Sequence, residues 1–375
     1  MTNASHDLDS IKRMLEEAHC LEDIFGVPAN PQDLHHPTLV GVHLRDKWRA
    51  LAQVVHPDRF EEGAPREQAD QVCALLNSLY ERAVDSVDAG LYGNREPLFE
   101  SSATILRTLR SRYHIKDVLA RGDVATLYRA RSEKDGCEVI LKMAGDKRDG
   151  DLMLREADAL ARLHRDESPQ RKHFPECLDS FKSPEHERGN IITYFEGAID
   201  LVELRAHFPS GLMPVHAVWV LRRALSALGW AHHQGVVHGN ICPEHIMVRP
   251  EDHNVWLVDW CYACIDPAKT RQGFVSLNPE YSPPEVSQRK PPLPASDIYA
   301  LGKSLVYLLG GDPTDASSLP AEVPDKLARL LRFMTLASPL GRAQDAWELY
   351  HTLEGIRDEC FGKHRFRELR LPSPS

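Results

Sequence analysis

The stretch Val236-Val237-His238-Gly239-Asn240-Ile241-Cys242-Pro243-Glu244-His245 decides how the larger part of this chain is read. It begins as a short apolar strand and opens into a loop that gathers two histidines around an amide. A general base must accept or hold a proton, and the carboxamide of Asn240 does neither usefully. Before the loop, Pro214 to Gln234 reads as a long helix; after it, Val255-Trp256-Leu257-Val258-Asp259 reads as a buried strand ending in a carboxylate.

Further upstream, Tyr113 to Val118 and Ala125 to Arg131 read as strands around a turn at Arg121-Gly122-Asp123, and Glu138 to Met143 as a third strand carrying Lys142. A helix is expected from Asp149 to Leu163. A buried lysine on a strand needs a carboxylate partner, and Glu156 on that helix is the available one; the pair also reads as a plain ion pair tying strand to helix. Ile191 to Phe195 suggests another strand.

At the other end of the chain, apolar residues recur at Leu44, Trp48, Leu51 and Val55, and again at Ala69, Val72, Cys73, Leu76, Leu79, Tyr80 and Ala83. These spacings predict two amphipathic helices, Val42 to Val55 and Arg66 to Val87. Between them His56-Pro57-Asp58 must break the helix and form a tight exposed loop.

With 375 residues, 42% hydrophobic and 27% charged, the chain is long enough for two or three domains. A net charge of -10 without a strongly basic stripe argues against a nucleic-acid surface. Met1 to Ser10 is polar, and Arg222, Arg223 and Lys303 break the most apolar stretches, so neither a secretory signal nor a bilayer span is expected and the cytoplasm is. Eight scattered cysteines read as reduced thiols. The Cys261-Tyr262-Ala263-Cys264 spacing, with Cys242 as a third member, leaves a metal or redox site open beside buried thiols.

Residues 15 to 88, with Leu21-Glu22-Asp23-Ile24-Phe25-Gly26-Val27, a long first loop from Pro28 to Gly41, the His-Pro-Asp turn and Leu75-Leu76-Asn77-Ser78-Leu79-Tyr80, resemble the J-domain of DnaJ-like co-chaperones. The resemblance implies that Arg45, Lys47 and Arg49 dock on a DnaK-type heat-shock ATPase and that His56, Pro57 and Asp58 stimulate it.

Residues 110 to 358 resemble a eukaryotic-type Ser/Thr protein kinase domain. Lys142, Glu156, the loop at His238, Asp259 and the closing Pro283-Pro284-Glu285 arrive in that family's order. The resemblance implies ATP with magnesium as cofactor, with Gly122, Lys142, Glu156 and Asp259 handling the nucleotide and Asp259 holding the metal. Asp297 and Glu285 with Arg342 are its structural residues. The catalytic aspartate falls on Asn240, its preceding arginine on Gly239, the following lysine on Cys242 and the second metal ligand on His245. Two loop glycines become Ala120 and Ala125.

The expected fold is therefore α+β: an all-α J-domain hairpin at 1–90, a linker at 91–108, a bilobal kinase-like domain at 109–358 with a β-rich N-lobe (about 109–195) and a helical C-lobe (about 198–358), and a solvated basic tail at 359–375. The expected function is a co-chaperone for the heat-shock ATPase whose kinase-like pseudokinase module binds a client partner or senses nucleotide. An atypical active Ser/Thr kinase directed to chaperone clients is the alternative. Thr270, Ser276 and Ser282 are expected as solvated loop residues, without phosphate control through position 239.

Overall fold

Pro37 takes the first helical position, where its missing N–H leaves no bond unmade and its fixed φ suits a helix. The first of the two predicted helices accordingly runs Pro37–Val55 and begins earlier than its periodicity from Val42 predicts. The long first loop shrinks in the same way, because Pro31–His35 forms a 3-10 turn capped by Asn30.

The computed structural model describes residues 3–61, 63–98, 100–101, 104–183, 187–270, 273–274, 278–288, 290–363 and 365–372. Ser276 and the last three residues of the tail lie outside them. Two units emerge: Met1–Arg121, Thr126–Leu141 and Phe181–Glu187 form the first; Gly122–Ala125, Lys142–Ser180 and Arg188–Ser375 form the second. This division does not coincide with the limits 90, 108 and 358 read from the sequence.

In the first unit, α1 (Asn3–Glu17), α2 (Leu21–Phe25), α3 (Pro37–Val55) and α4 (Ala64–Asp88) surround a core of Leu8, Leu15, Phe25, Leu44, Leu76 and Leu79. Each such side chain contributes about 1.5–3 kcal/mol when removed from water. Trp48 stacks on Tyr80 at 5.1 Å, and its indole N–H donates to Asn77 at 2.9 Å, fixing α3 against α4.

The span expected as a linker is instead anchored to these helices. Buried Glu22 accepts from the backbone N–H of Gly93 (2.7 Å) and Arg95 (3.3 Å), Tyr92 donates to the Gly26 carbonyl at 2.6 Å, and Leu98 is 1% exposed. Strands β1 (Glu100–Ser101) and β2 (Ile105–Arg107) then begin a sheet inside it, followed by β3 (Arg112–Arg121), β4 (Ala125–Ser132) and β5 (Glu138–Ala144), adjacent in chain order. A Gly-and-Ser-rich composition suggests a loose boundary; backbone amides that find buried acceptors remove that freedom.

In the second unit, α5 (Gly150–Leu163) is followed by strand β6 (Cys177–Lys182), whose last two residues belong to the first unit, and by β7 (Arg188–Thr193), which starts and ends before the strand read at Ile191 to Phe195. Next come β8 (Ile199–Asp200), α6 (Leu201–His207), α7 (Pro214–His233), β9 (Val236–Val237), β10 (Ile246–Arg249), β11 (Asn254–Leu257), β12 (Cys264–Ile265) and α8 (Pro267–Thr270). The chain closes with α9 (Pro284–Ser287), α10 (Pro294–Leu308), α11 (Asp325–Met334) and α12 (Ala346–Phe361). Small sheets β11-β10-β8 and β12-β9 hold the loop segments. Helix α7 is buried along most of its length, and Gly229 lets α12 approach it: a Cβ there would lie 2.6 Å from the Trp347 ring.

The tail expected to be solvated packs back. Leu369 is 6% exposed, and the Phe366 ring lies 4.4 Å from that of His253. Among the described residues no helix is long and apolar enough to cross a membrane.

Candidate functional site

Strand β5 carries Lys142 inward, where it is 3% exposed, and α5 brings fully buried Glu156 to meet it. The ammonium donates to Glu156 Oε1 at 2.9 Å and to Asp259 Oδ1 at 2.7 Å. Asp259 sits two residues past β11 with φ 62° and ψ 70°, a left-handed conformation that aspartate tolerates better than most residues and that turns the chain into the 3-10 segment Trp260–Tyr262. Burial alone would neutralise Lys142, but Asp259 and Glu156 outweigh it and hold the ammonium well above its ordinary pKa.

Glu156 is satisfied from three sides, since Asn190 Nδ2 donates to its Oε2 at 3.0 Å and the Trp260 N–H to its Oε1 at 3.2 Å. Such saturation is what a buried ion pair requires to be tolerated. Trp260 is fully buried, with its ring 5.5 Å from Phe174 and 4.4 Å from His238. Asn190 escaped the sequence reading, although a polar residue within the apolar strand run Asn190-Ile191-Ile192 was a signal for it.

The loop of residues 238–245 is fixed from beneath by Asp297 on α10. That carboxylate accepts the backbone N–H of His238 (2.8 Å) and Gly239 (2.9 Å), and His232 at the end of α7 lies 2.9 Å from it. His238 is fully buried, and burial pushes its pKa down to about 4, so the ring is neutral. Gly239, read as a lost arginine, has φ 77°, and a Cβ there would stand 2.8 Å from the Tyr262 carbonyl. The backbone at 239 thus admits glycine and strains any other residue. Asn240 is half-buried on this frame.

His245 contacts both sides of the site: Nδ1 lies 2.8 Å from the Asn240 carbonyl and Nε2 lies 3.2 Å from Asp259 Oδ2. Burial opposes charge on its ring, but Asp259 and Cys242 outweigh that and hold the pKa well above the ordinary value. Opposed by its own burial, the Asp259 carboxyl is held well below its ordinary range by Lys142 and His245. Both Asp259 oxygens therefore face side-chain cations, and a magnesium ion would have to displace one of them. As arranged, these residues do not fit a metal at Asp259.

Gly122 donates its N–H to the Ala125 carbonyl at 2.9 Å, and a Cβ on it would find ordinary contact at 3.5 Å, so the turn does not demand glycine. Ala125 is 3% exposed and packs on Met153 and Cys261, which explains a methyl where a phosphate-covering loop would carry glycine. Cys261 has its sulfur within 4.8 Å of ligand atoms of Glu156 and Asp259. Cys264 donates instead to the Tyr262 carbonyl, and burial raises the Cys242 thiol. Among the described residues the three cysteines form no common metal site.

Glu285 and Arg342 form a bidentate buried pair at 2.7 and 2.8 Å, with Ser296 donating to Glu285 at 2.9 Å. In the first unit His56 and Asp58 are exposed, 57% and 71% at the side chain, with Asp58 paired to Arg66 at 3.1 Å. Arg45, Lys47 and Arg49 are exposed on α3.

A strand lysine, a helix glutamate, an aspartate after the loop and a carboxylate gripping the loop backbone define the protein kinase class of fold. Residues 113–347 match the model of the protein kinase domain, and the chain belongs to that family. Serine/threonine-protein kinase PknL of Mycobacterium tuberculosis is 29% identical over 309 residues, 75% of this chain and 72% of that one. Serine/threonine-protein kinase pkn3 of Myxococcus xanthus is 30% identical over 221 residues, 55% of this chain and 39% of that one. The fold is shared with a double mutant of the Mycobacterium tuberculosis PknI kinase domain, at TM-score 0.52 and 20% identity, covering 68% of this chain and 98% of that one.

Proposed function

We propose that the kinase domain binds a nucleotide but transfers phosphate poorly, and that the preceding helices act as a J-domain that recruits and stimulates a DnaK-type ATPase. The observation that carries the first half is Asn240. It stands on a loop that Asp297 holds by two backbone amides, and it offers an amide where proton abstraction would need a carboxylate. Losing a general base costs about 10²–10⁴-fold, and buried Cys242 adds no cation for the transferring phosphoryl group. Lys142 remains to orient phosphates while Glu156 and Asp259 hold its ammonium in place.

The J-domain reading rests on the α3–α4 hairpin, its exposed His56-Pro57-Asp58 turn and the exposed Arg45, Lys47 and Arg49, which would speed encounter with an acidic face. Eight free cysteines suit the reducing cytoplasm in which this reading places the protein.

A second reading, an active Ser/Thr kinase directed to chaperone clients, is favoured by relatives that carry that name and by the assembled Lys142, Glu156 and Asp259. Phosphoryl transfer depends chiefly on positioning and electrostatics, which these residues retain. Incubation of the full chain with labelled ATP, magnesium or manganese and a generic substrate separates the two. Transfer that disappears in Lys142→Ala establishes the second reading; thermal stabilisation by ATP without transfer supports the first.

A further inference from the structure

A small pocket of about 60 Å³ in the second unit lies among α7, the turn before β11 and the chain following α12. Among the described residues six of its lining side chains are lysine or arginine and none is acidic, in a chain whose net charge is -10. Arg222 and Arg357 share Glu354, at 2.5 and 2.8 Å. Arg223, Lys363, Arg365 and Arg367 have no carboxylate partner among the described residues. Like charges held together repel, and burial with neighbouring Arg222 pushes the Arg223 guanidinium below its ordinary range although Tyr350 and Asp252 pull the other way.

An aromatic ring forms one wall. Trp219, one helical turn before Arg223 and on the same side of α7, lines the pocket and is 9% exposed. Its ring stacks on His253 at 4.2 Å and 4°.

We propose that this pocket binds a phosphomonoester dianion, with Arg223, Lys363, Arg365 and Arg367 supplying both the charge and the hydrogen-bond donors. The volume admits a handful of heavy atoms, on the order of a single phosphate group, so the remainder of the ligand stays outside. Two negative charges and three acceptor oxygens match four unpaired cations better than a carboxylate does.

The test titrates the full chain with inorganic phosphate, a phosphoserine peptide and inositol monophosphate at constant ionic strength set with chloride, read by tryptophan fluorescence and calorimetry. Inorganic phosphate is expected to bind with Kd on the order of millimolar, weakening about tenfold in Arg223→Gln and in Arg365→Glu. Trp219→Phe should remove the fluorescence change. Arg365 is exposed, so its variant keeps the test valid if Arg223→Gln folds poorly. Tighter binding of the peptide identifies a phosphorylated side chain as the source, and tighter binding of the inositol ester a small metabolite. No binding above chloride, or equal affinity in Arg223→Gln and Arg365→Glu, overturns the assignment.

Discussion

His245 lies between two groups that can only accept, the Asn240 carbonyl at 2.8 Å and Asp259 Oδ2 at 3.2 Å. Both ring nitrogens therefore donate, and the side chain is an imidazolium. With Lys142 at 2.7 Å from the other oxygen, Asp259 is bracketed by two cations. Charge that a divalent ion would bring to this carboxylate is supplied by the chain itself.

Nucleotide binding should therefore be indifferent to metal. Thermal stabilisation of the full chain by ATP is expected to be the same in magnesium and in EDTA. His245→Asn frees Asp259 Oδ2 and should make the shift depend on magnesium. A strong magnesium requirement in the unaltered protein would refute this.

Lys142 neutralises two carboxylates, one of them fully buried. Lys142→Ala should destabilise the protein by about 3–5 kcal/mol, because Glu156 is left charged without its cation. The lost stability should be partly recovered in Lys142→Ala with Glu156→Gln. Urea denaturation midpoints report both; a single variant within about 0.5 kcal/mol of the parent would show that the cluster contributes little.

Two buried histidines predict acid sensitivity. Burial pushes His173 and His238 down to about 4 from 6.5, so between those values the unfolded chain binds more protons than the folded one. Their contribution is present above pH 6.5 and is lost as the pH falls toward 4, at up to about 1.4 kcal/mol per pH unit for each. Unfolding free energies across this range should show that slope, reduced by one proton in His173→Gln.

The exposed turn makes a prediction that folding cannot confound. His56 caps the end of α3 and accepts the Asp58 N–H at 3.3 Å without entering the core. His56→Gln should keep the helical circular dichroism of the parent and abolish stimulation of a DnaK-type ATPase. Equal stimulation by both proteins would remove the co-chaperone reading.

Much of this was legible in the sequence where a physical periodicity or a single residue's chemistry carried it. The α4 stripe, the lysine strand and the long α7 follow from apolar spacing. Asn240 is legible as an amide from the sequence alone. Ala125 reads only as a missing glycine until its methyl is seen against Met153, and Gly239 only as a missing arginine until the Tyr262 carbonyl is seen beside it. The His245–Asp259 contact joins residues from two loops, and Tyr92 and Glu22 anchor a span whose composition suggests a linker. Such contacts depend on tertiary approach, which no local pattern encodes.

Phosphate transfer by the unaltered chain tests the central claim most directly, with labelled ATP, both metals and the product confirmed by mass. No transfer above background is expected, while ATP still raises the melting temperature. Robust turnover that is lost in Lys142→Ala would contradict it.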